Sequence, residues 1–277
     1  MTKKIKTISY ASTAVIIGLV LMAPQVFASH TWGKYHWARQ TASFTLPVLD
    51  SMSSQWKSSL SGAVADWSTS AVLDLATSTA SSKGCRGQDG KVQVCNGAYG
   101  DTGWLGIASV WAYSDGHIAK ATAKMNDTYF DTDYYNTAAW RNLVVCQEIG
   151  HTFGLGHQDE DHNNPNLGTC MDYTSSPESN QNPNDHDYEE LAVIYAHTDS
   201  FDSYAKISTV GGGGGTGKGK PQDVGQDIDH NNPSSWGEIV KRDGQGNPSI
   251  YSRNLGNGQS VITHVTWIEG YESADHD

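Results

Sequence analysis

Positive charge is what this 277-residue sequence has least of: 18 Lys and Arg stand against 30 Asp and Glu, for a formal net charge of −12. Three of those cations (Lys3, Lys4, Lys6) lie in the first 28 residues, which hold no acid, so the remainder is more acidic still. A phosphate backbone or an anionic lipid surface needs a positive face, so nucleic acid and membrane surfaces are excluded as expected partners. Long apolar runs are missing too. The one candidate, Ala11–Ala23, falls short of the roughly 20 residues a bilayer span needs. Its lysine-rich start and the small residue closing Val26-Phe27-Ala28 read instead as a signal peptide over 1–28, and no cysteine follows to carry a lipid. The chain is thereby expected to be secreted.

Cysteine is sparse, at four residues. In an oxidising compartment an even count reads as two disulfides, with three connectivities open. Cys85 and Cys95 flank glycines 84, 87 and 90, which suggests a local pair across a hairpin and leaves Cys146 with Cys170. Five consecutive glycines at 211–215 mark a linker, set at 205–235, between a main domain (29–204) and a small β-rich tail (236–277). In the main domain, strands are expected at Ser43–Leu49, Ala71–Thr77, Gly103–Ala112 and His117–Met125. Helices are expected at Ser53–Trp67, capped by Asp50 or Ser51, at Thr137–Phe153 and at Asp185–Ala196. The tail alternates as three short strands, Trp236–Val240, Ser249–Arg253 and Val261–Ile268, free-standing or docked, with no chemistry assigned to it. A repeated D-x-D-H-N-N-P, at 159–165 and 227–233, offers clustered oxygens that suit either solvated turns or Ca²⁺.

The informative stretch is Cys146-Gln147-Glu148-Ile149-Gly150-His151-Thr152-Phe153-Gly154-Leu155-Gly156-His157. On a helix, positions 147 and 151 share a face, and Glu148 sits beside them. Gly154 and Gly156 let the chain leave through a left-handed turn that returns His157. Two imidazoles, a third polar group and a neighbouring carboxylate are the parts of a metal-activated hydrolytic site. Downstream, Cys170-Met171-Asp172-Tyr173 supplies an apolar floor and a hydroxyl able to steady an oxyanion. His117, His186, His197 and His264 read as ordinary core or surface residues.

Q-E-I-G-H-T-F-G-L-G-H followed by C-M-D-Y resembles the H-E-x-x-H-x-x-G-x-x-H and Met-turn signature of the metzincin clan of zinc endopeptidases, over about Tyr35–Tyr204. The resemblance implies an α+β fold with a mixed twisted sheet and an active-site helix. It makes Gln147, His151 and His157 the zinc ligands, Glu148 the acid/base, Met171 the Met-turn residue and Tyr173 a transition-state stabiliser. It also implies an edge strand within 103–125 that holds an extended peptide, so the expected partner is a protein or peptide substrate. Gln147 stands where the clan has a histidine. Three readings follow: Gln147 ligates through its oxygen, Tyr173 or water completes the shell, or the domain is a non-catalytic binding module. The residues after His157 are Gln158, Asp159, Glu160 and Asp161, so an Asp there could orient or replace a ligand. No inhibitory cysteine stands between residue 28 and the first strand, so latency of the matrixin kind is not expected.

Overall fold

The computed structural model describes residues 29–80, 84–205 and 228–272; the expected signal peptide and the five glycines lie outside them. The described strands are β1 (Phe44–Ser51), β2 (Leu73–Thr79), β3 (Val92–Gly97), β4 (Trp104–Tyr113), β5 (Ile118–Asn126), β6 (Glu238–Arg242), β7 (Pro248–Gly256) and β8 (Gln259–Trp267). The helices are α1 (Lys57–Trp67), α2 (Asp127–Phe130), α3 (Ala138–His151) and α4 (Asp185–Ile194). The fold is mixed α+β, as expected. All eight strands form one sheet in the order β2-β1-β3-β5-β4-β8-β7-β6, parallel from β2 to β5 and antiparallel from β5 to β6.

The two faces of the sheet bury different sets of side chains, as the two-residue period of a strand requires. On the helical face, Leu105, Val110 and Ile262 join Trp56, Leu60 and Trp67 from the region of α1 and Val144, Val145 and Ile149 from α3. On the other face, Trp104, Ile107, Trp111, Val265 and Trp267 pack with Ile228 and Trp236, so residues 228–235, placed in the linker on composition, belong to the folded unit. The tail strands are docked: β8 lies along β4, pairing Gly106 with Thr266 and Ala108 with His264. β4 is thus flanked on both sides, by β5 and β8, and the open edge expected there for a peptide is already filled.

Two local expectations need correction. A 3₁₀ turn at Ser54–Trp56 precedes α1, and neither Asp50 nor Ser51 caps it, because both still belong to β1 and the Asp50 carboxylate accepts from the Met52 amide and pairs with Lys57. The segment between Cys85 and Cys95 is not a hairpin. Its second half is β3, a parallel strand between β1 and β5 whose buried Val92 and Val94 need neighbours on both sides. The Asp159–Pro165 stretch folds as turns, with Asp159 Oδ1 accepting from the Asp161 amide and Asp161 Oδ1 from that of Asn163. The second copy does the same at Asp229 and Asn231, with Asp227 outside the described residues. Both disulfides, Cys85–Cys95 and Cys146–Cys170, form.

Candidate metal centre

α3 carries the site. Thr137 opens the helix, its hydroxyl accepting from the Trp140 amide, and the chain ends the helix at Thr152. Gly154 follows at φ +107°, where any side chain would run into the Tyr35 carbonyl, so only glycine allows this exit. The turn brings His157 back over the helix, and its Nε2 lies 2.9 Å from Nε2 of His151. Beneath them Met171 packs against Gly150, where a Cβ would come within 2.7 Å of the thioether sulfur. Cys146–Cys170 ties the Met171 turn to α3. Gln147, Glu148 and His151 are fully buried and His157 nearly so.

The outer nitrogens fix the state of the rings. His151 Nδ1 lies 2.8 Å from the Leu155 carbonyl and His157 Nδ1 lies 2.8 Å from a Glu160 carboxylate oxygen. Both partners only accept, so each Nδ1 carries a proton, and in neutral rings both Nε2 atoms are bare lone pairs. Two bare nitrogens 2.9 Å apart repel unless a cation lies between them. This is the orientation that outer partners impose on metal-binding histidines, and the pair fits a zinc ion. The acid that orients His157 is Glu160 and not the Asp expected there; it also pairs with Lys241 of β6 at 3.1 Å.

The third position is where the sequence reading fell short. Gln147 Oε1 is 2.6 Å from Thr266 Oγ1, and the same hydroxyl is 2.7 Å from Glu148 Oε1. One hydroxyl has one hydrogen, so it can donate in only one of these contacts. Burial pushes the Glu148 carboxyl up to about 8, against the smaller opposing effect of Thr266. At neutral pH it is therefore largely protonated, and its own proton closes the second contact. Glu148 Oε2 and Gln147 Nε2 have no hydrogen-bond partner. Tyr173 is buried against His157, ring centroids 4.5 Å apart, and its hydroxyl donates to the Val265 carbonyl at 3.0 Å.

His264 is the neighbour that sequence reasoning dismissed. It stacks on His151 at 4.2 Å and 16°, meets Trp32 edge-on at 4.1 Å, and neither ring nitrogen has a partner. Its plane runs almost parallel to that of His151, so in this arrangement the lone pairs of the two rings do not converge. The signal for it was present: His264 and Thr266 alternate with Val261, Thr263, Val265 and Trp267, which puts both on one face of β8, here the face toward α3. A cavity opens beside Gln147 and Thr266, walled by Leu105, Trp140, Leu143 and Tyr173.

The sequence matches no protein-family model and no curated protein. Among solved structures the chain is similar to high choriolytic enzyme 1 (HCE-1), a hatching-enzyme zinc protease from Oryzias latipes (medaka fish). The TM-score is 0.34 at 10% sequence identity, covering 58% of this chain and 94% of that chain.

Proposed function

We propose that the chain is a secreted zinc-dependent endopeptidase whose catalytic groups lie beneath its own last strand. The observation that carries this reading is the pair of Nε2 atoms of His151 and His157, bare and 2.9 Å apart, with Glu148 one helical turn before His151. His151 and His157 would hold the ion, with the Gln147 amide oxygen as a weaker third donor. Zinc at such a site supplies Lewis-acid polarisation of a carbonyl and activates water. Glu148, ionised once a bound cation faces it, is the group that would move the proton, taking it from the attacking water and returning it to the leaving amine. Tyr173 would steady the developing oxyanion with a hydrogen bond from its hydroxyl.

β8 blocks Gln147, Glu148 and Tyr173 in the folded chain. It takes the pairing edge of β4 that an extended peptide would use, Thr266 occupies Gln147 and Glu148, and the Val265 carbonyl engages Tyr173. The arrangement amounts to latency built from the tail rather than from an inhibitory cysteine. The same filled edge is the observation that favours a second reading, a non-catalytic module sealed by its tail. Zinc content and peptide cleavage, compared among the full-length wild type, Thr266→Ala, and Thr266→Ala with Glu148→Ala, separate the two. Chelator-sensitive cleavage that rises in Thr266→Ala and vanishes with Glu148→Ala supports the enzyme. Folded, zinc-bound protein without cleavage both in Thr266→Ala and in Thr266→Pro, which also breaks the pairing of β8 with Gly106, supports the module.

A further inference from the structure

A second histidine cluster lies outside the candidate centre and shares no residue with it. His36 comes from the segment before β1, His117 from the β4–β5 turn, and His197 and Asp199 from the segment after α4. Ligand atoms of His36, His117 and Asp199 all lie within 4.8 Å of one another. His36 Nε2 is 3.6 Å from Asp199 Oδ2, and His117 Nε2 is 3.2 Å from Asp199 Oδ1. His197 Nε2 is 3.1 Å from His36 Nε2 and 3.6 Å from Asp199 Oδ1. A tetrahedral zinc ion with bonds of about 2.0–2.1 Å spaces its ligand atoms about 3.3–3.4 Å apart, and these separations bracket that edge.

The backbone already holds the segments together without any ion. His36 and the β4–β5 turn exchange bonds, His36 N donating to Gly116 O and Ile118 N to His36 O. Asp199 N donates to Arg39 O, and Arg39 N donates to Asp199 Oδ2, which leaves Oδ1 to face His117 and His197. His36 Nδ1 is 2.8 Å from the Lys34 carbonyl, an acceptor, so its proton sits on Nδ1 and Nε2 is a lone pair. His117 Nε2 lies 3.2 Å from Asp199 Oδ1, which only accepts, so without an ion that nitrogen carries the ring proton; an ion there would move it to Nδ1, 2.8 Å from an Asp115 carboxylate oxygen. The His36 lone pair thus faces a carboxylate and the His197 ring, an arrangement that a cation relieves. The His36, His117 and Asp199 side chains are largely buried while His197 is half exposed, which leaves a way in from solvent.

We infer that His36, His117, His197 and Asp199 form a structural zinc site that clips the N-terminal segment and the chain beyond α4 onto the β4–β5 turn. Three nitrogens and one carboxylate oxygen suit zinc, and a full set of four protein ligands leaves no position for a substrate. The ion would close loops of about 80 to 160 residues, which restricts the unfolded chain as a long-range cross-link does.

The test uses full-length His151→Ala/His157→Ala protein, so that metal bound at the other centre does not contribute. Zinc content after dialysis against a weak zinc buffer, the visible spectrum of the cobalt-substituted protein and melting with and without chelator are read together. One equivalent of zinc, a tetrahedral cobalt spectrum and a chelator-induced drop in melting temperature are expected. Adding His197→Ala or Asp199→Asn should weaken zinc binding at least tenfold and abolish the chelator effect. Exposed His197 and the near-isosteric Asp199→Asn are chosen because each leaves the apo fold intact, checked by circular dichroism. Folded protein without zinc would overturn the site. So would zinc that both added substitutions leave in place, since it would then lie elsewhere, as at the His30, His186 and Glu190 group.

Discussion

Thr266 in the last strand places its hydroxyl 2.7 Å from the Glu148 carboxyl in the middle of α3, and the same oxygen reaches Gln147 at 2.6 Å. All three groups are buried. Replacing Thr266 by Val keeps the shape and strands two polar groups, at a cost of about 1–3 kcal/mol. Urea denaturation should show that loss for Thr266→Val and its recovery in Thr266→Ser.

Gly106 on β4 faces Glu148 so closely that a Cβ would overlap its carboxyl group. Gly106→Ala must push Glu148 or the strand aside, and overpacking of this kind costs about 1–3 kcal/mol. The variant should be less stable in the same denaturation assay. The substitution should also lower any Glu148-dependent cleavage more than it lowers zinc content.

His230 predicts a pH dependence in the tail. Burial, reinforced by Lys124, holds its imidazole down to about 3, where Lys124 Nζ lies 3.0 Å from Nδ1 and Ser109 Oγ lies 3.2 Å from Nε2. The folded pKa is below the unfolded one, so between about 6.5 and about 3 the unfolded chain binds the extra proton. The stability that neutral His230 supplies is complete above about 6.5 and lost as pH falls toward about 3, by roughly 1.4 kcal/mol per pH unit. Other buried histidines titrate in the same direction, so the informative quantity is a difference. His230→Gln should lose stability less steeply than wild type between pH 6 and pH 4.5 in denaturant titrations, within about that slope.

The Cys146–Cys170 bridge closes a loop with a sequence separation of 24 between α3 and the Met171 turn. Chain-entropy arithmetic gives about 3 kcal/mol for a loop of this size. Cys146→Ala/Cys170→Ala should lower the denaturation midpoint accordingly. If the bridge also holds Met171 under the histidines, zinc affinity will fall with it.

Much of the architecture was legible because it is local. Periodicity found α3 and α4 within two residues at each end, and the glycines at 154 and 156 announced the turn that returns His157. What was hidden depends on distant pairing. Val92–Gly97 is a short apolar run next to a glycine-rich segment, and nothing within it says that it runs parallel between β1 and β5. The tail strands were visible as strands, yet their destination along β4 was not, and with it went the roles of His264 and Thr266. His36, His117 and His197 come together from positions 160 residues apart, which no spacing rule detects.

A zinc peptidase site built on Glu148, His151 and His157 beneath β8 is checked by turnover of a quenched peptide library. Zinc-loaded full-length Thr266→Ala and Thr266→Pro, the second also breaking the pairing of β8 with Gly106, are set against wild type and against the same variants with Glu148→Ala. Cleavage at least tenfold above wild type in one or both, lost with Glu148→Ala and on chelation, is expected. Folded, zinc-loaded Thr266→Ala and Thr266→Pro proteins that both lack Glu148-dependent cleavage rule the site out.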